Sequence, residues 1–153
     1  AINAVEDFKG LEHRLELFAT QNGVRWFNDS ISTIPEAAIN AVEGIGDVRT
    51  LIIGGMDRGI PYGELEKYIA SGKVENVIFA YESGKRVLKE TEPLCPKCRL
   101  FEVADIYEAA DKAKEITKCG SVLFSPAAAS YGYFKNFEER GTKFKEYVLK
   151  GTK

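Results

Sequence analysis

Three short apolar runs, at residues 50–53, 76–80 and 121–124, and a more mixed one at 99–103 alternate with stretches of helical period at about 63–71, 85–91, 105–118 and 133–149. No other feature restricts the fold as much. A continuous apolar run this short is a strand covered on both faces. A helix between successive strands makes them pair in parallel, through right-handed crossovers. The pattern predicts an α/β fold: a Rossmann-like, open, mostly parallel, doubly wound sheet with helices on both faces.

The N-terminal side departs from this repeat. Residues 12–19 alternate, with Leu15 and Leu17 on one face, and residues 24–27 read as a partner strand. Between them stands Asn22-Gly23, whose residues both tolerate the positive φ of a tight turn, so an antiparallel hairpin is expected here. Thr33 and Glu36 have capping-box spacing, and Pro35 falls in a first turn where no N–H is needed. The helix they start is expected to run to about Val42.

The 153 residues suit one domain, and an apolar share of 44% supplies its core. A net charge of −2 with no basic stripe argues against nucleic-acid binding, which needs clustered cations. No apolar run is long enough to span a membrane and no signal-peptide pattern opens the chain, so a cytoplasmic protein with no membrane partner is expected. Ala1 opens a helix-like stretch without a cap, which suggests a segment of a longer polypeptide; a removed initiator Met is the alternative. Cys95 and Cys98 have the spacing of half a zinc site, but only Cys119 and the single histidine, His13, are left to complete it. Their Pro-rich connection is not where a redox pair opens a helix, so ordinary reduced thiols are expected.

In an open α/β sheet, ligands bind beyond the carboxyl ends of the strands. Four loops end strands here, at 28–33, 54–62, 81–84 and 125–132. In the second, Gly54-Gly55 permits close backbone approach and Arg58 can grip a carboxylate with two N–H groups, although a plain turn with a surface arginine fits equally. Its spacing is neither that of a dinucleotide-binding loop nor that of a P-loop. In the last, Ala127, Ala128 and Ala129 leave room after a buried strand. Ser130, just before the final helix, can hold an anion there or simply cap that helix. In the first, Asp29 can accept from ribose hydroxyls and Thr33 can serve a carboxylate, or both only cap the loop. The final helix carries Phe134, Phe137, Gly141, Phe144 and Val148 at steps of three and four, a core stripe in which Gly141 signals close packing. His13, placed in the first strand, reads as a packing or surface residue, and no Ser/His/Asp case arises.

Four stretches stand in an order known from one family. Phe8-Lys9-Gly10-Leu11-Glu12-His13-Arg14, Asn28-Asp29-Ser30, Gly54-Gly55-Met56-Asp57-Arg58, and Ser125-Pro126-Ala127-Ala128-Ala129-Ser130 with Phe134-Lys135-Asn136-Phe137-Glu138-Glu139-Arg140-Gly141-Thr142-Lys143-Phe144 resemble the third domain of the Mur ligases. The resemblance covers nearly the whole chain, and its last stretch is similar to the D-glutamate-adding branch. It implies that residues 1–9 are the tail of a preceding central ATPase domain or a linker, and that 10–153 form the C-terminal amino-acid-binding domain. The implied activity is ATP-dependent addition of D-glutamate to UDP-N-acetylmuramoyl-L-alanine through an acyl phosphate, in peptidoglycan synthesis, with ATP and Mg2+ held mainly by the central domain. In that frame Thr33 and Arg58 hold the α-carboxylate of the amino acid. Ser130 and Phe137 hold its side-chain carboxylate, Phe137 through its backbone or by packing. Arg14 and Asp29 approach the nucleotide when the domain closes. The resemblance places no catalytic residue and no metal ligand in this domain, and implies that the domain alone is inactive. The sequence departs from the family at Arg58, where many relatives carry lysine, at Ile31, where some do, and at Ala128, where some carry cysteine. Other readings stay open: another ligase of the same superfamily, such as folylpolyglutamate synthase, a stand-alone nucleotide-binding module, or a structural interaction domain.

Overall fold

The structure, a computed structural model, describes residues 12–150, so the expected tail at 1–9 lies outside the described residues. Six strands form one sheet: β1 (Glu16–Gln21), β2 (Val24–Asn28), β3 (Val48–Ile53), β4 (Asn76–Phe79), β5 (Arg99–Glu102) and β6 (Ser121–Phe124), in the order β1-β2-β6-β3-β4-β5. Only β1 and β2 run antiparallel; every other neighbouring pair is parallel. Among the described residues, five helices connect and cover the strands: α1 (Pro35–Ile45), α2 (Gly63–Ala70), α3 (Tyr81–Thr91), α4 (Ile106–Ile116) and α5 (Phe137–Lys150).

Successive side chains of a strand point to opposite faces. Phe27, Leu51, Ile53, Val77 and Leu123 enter one apolar cluster with residues of α1, α2 and α3, among them Ala38, Leu65 and Val87. Trp26, Ile52, Ile78, Val122 and Phe124 enter the other with Ala109 of α4 and Phe144 and Val148 of α5. Both faces of the central strands are therefore covered, as the unbroken apolar runs require. Burying one such side chain stabilises by about 1.5–3 kcal/mol.

Asn22 (φ 53) and Gly23 (φ 80) make the expected hairpin turn. The strand before it is shorter than its alternation suggests. Residues 12–15 form a turn in which His13 and Leu15 take positive φ. Two carboxylates hold that turn: His13 N donates to Glu16 Oε1 at 3.0 Å and Leu15 N to Asp29 Oδ1 at 3.1 Å. Acceptors this near compete successfully with strand pairing. A bulge between Leu17 and Ala19 then leaves Leu17 packed against the first cluster while Phe18 and Ala19 both pack against the second.

Other expectations are corrected. Thr33 and Glu36 form no capping box. Ile34 is the N-cap of α1, extended at φ −133 and ψ 156 and without a side-chain cap bond. A residue before proline is pushed into that region, which makes Pro35 the first helical residue. α3 begins at Tyr81, so 81–84 is helix rather than loop. Gly84 permits this, since a Cβ there would stand 3.0 Å from the Phe79 carbonyl carbon. α5 begins at Phe137 rather than near Tyr133. Glu139 N donates to Asn136 Oδ1 at 2.8 Å and Lys135 N to Glu139 Oε1 at 2.7 Å, a reciprocal cap that sets the start of the helix. Cys95 and Cys98, expected as free thiols, are joined in a disulfide. A turn after the 3-10 segment Glu92–Leu94 brings their Cα atoms to 5.5 Å, within bonding reach.

Candidate functional site

β6 lies between β2 and β3, so the loops that leave these three strands meet at one edge of the sheet. Backbone bonds stitch them together. Asp29 N donates to Phe124 O at 2.8 Å, Gly54 N to Pro126 O at 2.9 Å and Met56 N to Ala129 O at 2.9 Å. Gly54 stands at φ 126, and a Cβ there would lie 1.8 Å from Ala80 O. Only glycine allows this approach.

Thr33 and Arg58, from different loops, are neighbours on this rim. Arg58 is exposed and its Nη2 donates to Thr33 O at 3.2 Å. Ser130 follows Ala129, the partner of Met56, and is 4% exposed. It does not cap the final helix, since residues 131–136 intervene; its carbonyl instead accepts from Phe134 N at 2.9 Å. Phe137 is the first residue of α5, so its N–H belongs to a turn whose donors have no partner within the helix. Its carbonyl accepts from Ser30 Oγ at 2.7 Å, and its ring stands edge-on to His13. Thr33 and Arg58 are thus in contact, while Ser130 and Phe137 stand in the segment that follows β6, at the same ends of the strands.

Arg14, Asp29 and Thr33 line a cleft of about 390 Å³, together with Ile31, Ile34 and Asn40. The carboxylate of Asp29 faces inward, accepting from Leu15 N at 3.1 Å and Ser125 Oγ at 2.8 Å. Burial pushes it up to about 6, against those two donors and the charge of Arg14. Each carboxylate oxygen has a further lone pair, so acceptor capacity for a ligand hydroxyl remains. His13 is buried, with Nδ1 2.9 Å from Asn28 Nδ2. Desolvation lowers its pKa, as suits a neutral packing residue. Among the described residues, no group of three or more His, Cys, Asp or Glu side chains can hold a metal ion. No described helix is long and apolar enough to cross a membrane.

Arg140 was missed as a site residue. It is fully buried, and among the described residues no acidic side chain is one of its hydrogen-bond partners. Its Nε donates to Ser30 Oγ at 3.1 Å, Nη1 to Ala128 O at 2.9 Å and Nη2 to Ser30 O at 2.7 Å. Burial lowers its pKa to about 10, so it stays cationic at neutral pH. One guanidinium therefore ties the loop after β2 to the loop after β6 and places positive charge beneath both. A Cβ on Gly55 would stand 2.6 Å from Ala129 O and 3.1 Å from Arg140 Nη1, which accounts for the second glycine of the Gly-Gly pair. The available signal was a cation three residues after Phe137, on the buried stripe of the last helix.

No protein-family model matches the chain. It is 39% identical over 148 residues to the UDP-N-acetylmuramoylalanine–D-glutamate ligase of Thermoanaerobacter sp. strain X514, across 95% of this chain and 32% of that protein. It is 40% identical over 147 residues to the UDP-N-acetylmuramoyl-L-alanine–L-glutamate ligase of Micromonospora sp. strain ATCC 39149, again across 95% of the chain and 32% of the relative. The chain spans about a third of the length of these relatives, their C-terminal third. Among solved structures, the UDP-N-acetylmuramate–alanine ligase of Thermotoga maritima superposes with a TM-score of 0.61 at 18% identity, over 97% of this chain and 32% of that one. That likeness establishes a shared fold.

Proposed function

Taking the chain as a Mur-ligase C-terminal domain, we propose that it holds glutamate, the D-enantiomer, for a cytoplasmic ATP-dependent ligase that extends UDP-N-acetylmuramoyl-L-alanine. In this reading ATP first converts the precursor carboxylate into an acyl phosphate on the remaining two thirds of the ligase, where ATP and Mg2+ are held. The glutamate amine then attacks the acyl carbon. A C–N bond forms, the bond to phosphate breaks, phosphate leaves and the amine loses a proton. This domain orients the nucleophile: Arg58 and Thr33 take the α-carboxylate, Ser130 and the first turn of α5 at Phe137 take the side-chain carboxylate, and Arg14 and Asp29 face the nucleotide on closure. Holding both carboxylates fixes the amine and lowers the entropic part of the barrier, while closure excludes water from the acyl phosphate.

The observation that carries this reading is the contact between Arg58 and Thr33, on the rim that also holds Ser130 and Phe137. A cation beside donors from separate loops suits a guest with two carboxylates better than it suits a mononucleotide. One relative of equal similarity is named for L-glutamate, so both enantiomers belong in the test. In the full-length ligase, Arg58→Met is expected to raise the KM for D-glutamate by about tenfold or more, with the KM for ATP within about twofold of its starting value. An unchanged glutamate KM overturns the assignment of Arg58, and faster turnover with L-glutamate overturns the choice of enantiomer.

A further inference from the structure

The loop that carries Arg58 is held by a side chain that lies outside the described rim. Arg86, on α3, reaches back to Asp57 with two bonds, Nε to Oδ2 at 2.8 Å and Nη2 to Oδ1 at 2.9 Å. The same Nη2 donates to Ile60 O at 2.8 Å. Its guanidinium lies over the ring of Tyr62, 5.0 Å from the centroid. Tyr62 is itself buried, with its hydroxyl bonded to Ala127 O at 2.6 Å. Asp57 Oδ1 also accepts from Gly59 N at 2.9 Å. One arginine thus engages residues 57, 60 and 62, on both sides of Arg58. A two-pronged contact of this kind fixes direction as well as distance, which a lysine cannot do. Arg86 also lies 3.8 Å from Glu90, and both interact with Glu66 of α2. Arg58 itself donates to Thr33 O.

We propose that Arg86 is a positioning residue for the amino-acid site: by clamping Asp57, Ile60 and Tyr62 it holds the exposed Arg58 beside Thr33, where a substrate carboxylate is received. This rests on the reading of Arg58 as a carboxylate ligand. Arg86 touches no substrate in this arrangement. A bare structural role would lower stability and total activity alike, whereas a positioning role acts on glutamate alone.

The test is a double-mutant cycle in the full-length ligase, with Arg58→Met, Arg86→Met, the pair together, and Arg86→Lys as the conservative variant. Arg86→Met is expected to raise the glutamate KM about tenfold, leaving the KM for ATP and for the muramoyl precursor within about twofold. Arg86→Lys should recover only part of the loss. The double variant should be no worse than Arg58→Met, because an arginine that is absent cannot be misplaced. Amide hydrogen exchange across residues 57–62 should quicken in Arg86→Met. If Arg58→Met weakens glutamate but Arg86→Met does not, or if the two effects multiply in full, the clamp is overturned and the reading of Arg58 stands. If Arg58→Met leaves glutamate untouched, the carboxylate reading falls and takes this proposal with it. Should Arg86→Met fail to fold, Arg86→Lys decides alone, an unchanged glutamate KM counting against the clamp.

Discussion

Two buried charges show how much single residues contribute at this rim. Replacing Arg140 by Met removes the donors that satisfy Ser30 O and Ala128 O, at about 1–3 kcal/mol for each carbonyl left without a partner. Relief from desolvating the guanidinium offsets part of this. A net loss of roughly 2–4 kcal/mol is expected, read as a lower urea midpoint; a stability equal to that of the parent would show that the cation does not hold the loops. Asp29 acts in the opposite sense. Its carboxyl is raised from 3.8 to about 6 on folding, so the folded state binds the proton more tightly. The associated stability is complete below about pH 4 and is lost as pH climbs to about 6, leaving a buried anion above that. Relative to Asp29→Asn, the parent chain should therefore lose on the order of 2–3 kcal/mol between pH 4 and pH 8. A gap between the two proteins that stays constant with pH counts against the inward-facing carboxylate.

At the scale of elements, two helical glycines make a matched pair. Gly141 in α5 has no room for a methyl group: a Cβ would stand 2.2 Å from His13 Nδ1 and 2.9 Å from Asn28 Nδ2. Gly141→Ala should lower the melting temperature, although alanine is the better helix former by about 1 kcal/mol. Gly44 in α1 has nothing within 4 Å of its would-be Cβ. Gly44→Ala should therefore stabilise by about 0.5–1 kcal/mol, and a destabilised Gly44→Ala would mean that α1 packs differently. The close packing of Gly141 was legible in the sequence, as were the hairpin at Asn22-Gly23, the two-faced strands and the meeting of the loops that carry Thr33 and Arg58. The starts of α2 and α4 were read to within a residue, but those of α3 and α5 were not. Asn136 caps α5 through a side-chain bond, but one of several polar residues before a helix looks much like another in sequence. The false capping box at Thr33 has the same origin: its spacing was right, and the conformational pull of Pro35 on Ile34 outweighed it. Arg140 and Arg86 escaped notice because a cation reads as a surface residue until its partners, 110 and 29 positions away, are brought beside it.

For the molecule as a whole, the rim is assembled from three strand ends far apart in sequence. In the function proposed above, the domain would present an amino acid to an acyl phosphate formed elsewhere. The isolated chain is accordingly expected to give no ATP-dependent ligation in a phosphate-release assay, and robust turnover would overturn the division of labour proposed above. The order β1-β2-β6-β3-β4-β5 has one more consequence, for biosynthesis. The strand in the middle is the last to leave the ribosome. Until residues 121–124 emerge, the hairpin and the β3–β4–β5 half share no edge, and each carries an open backbone ladder flanked by Trp26 on one side and Leu51 and Ile52 on the other. Synthesis of residues 121–124 therefore does more than lengthen the polypeptide: it inserts the keystone that lets two unfinished halves become a single sheet.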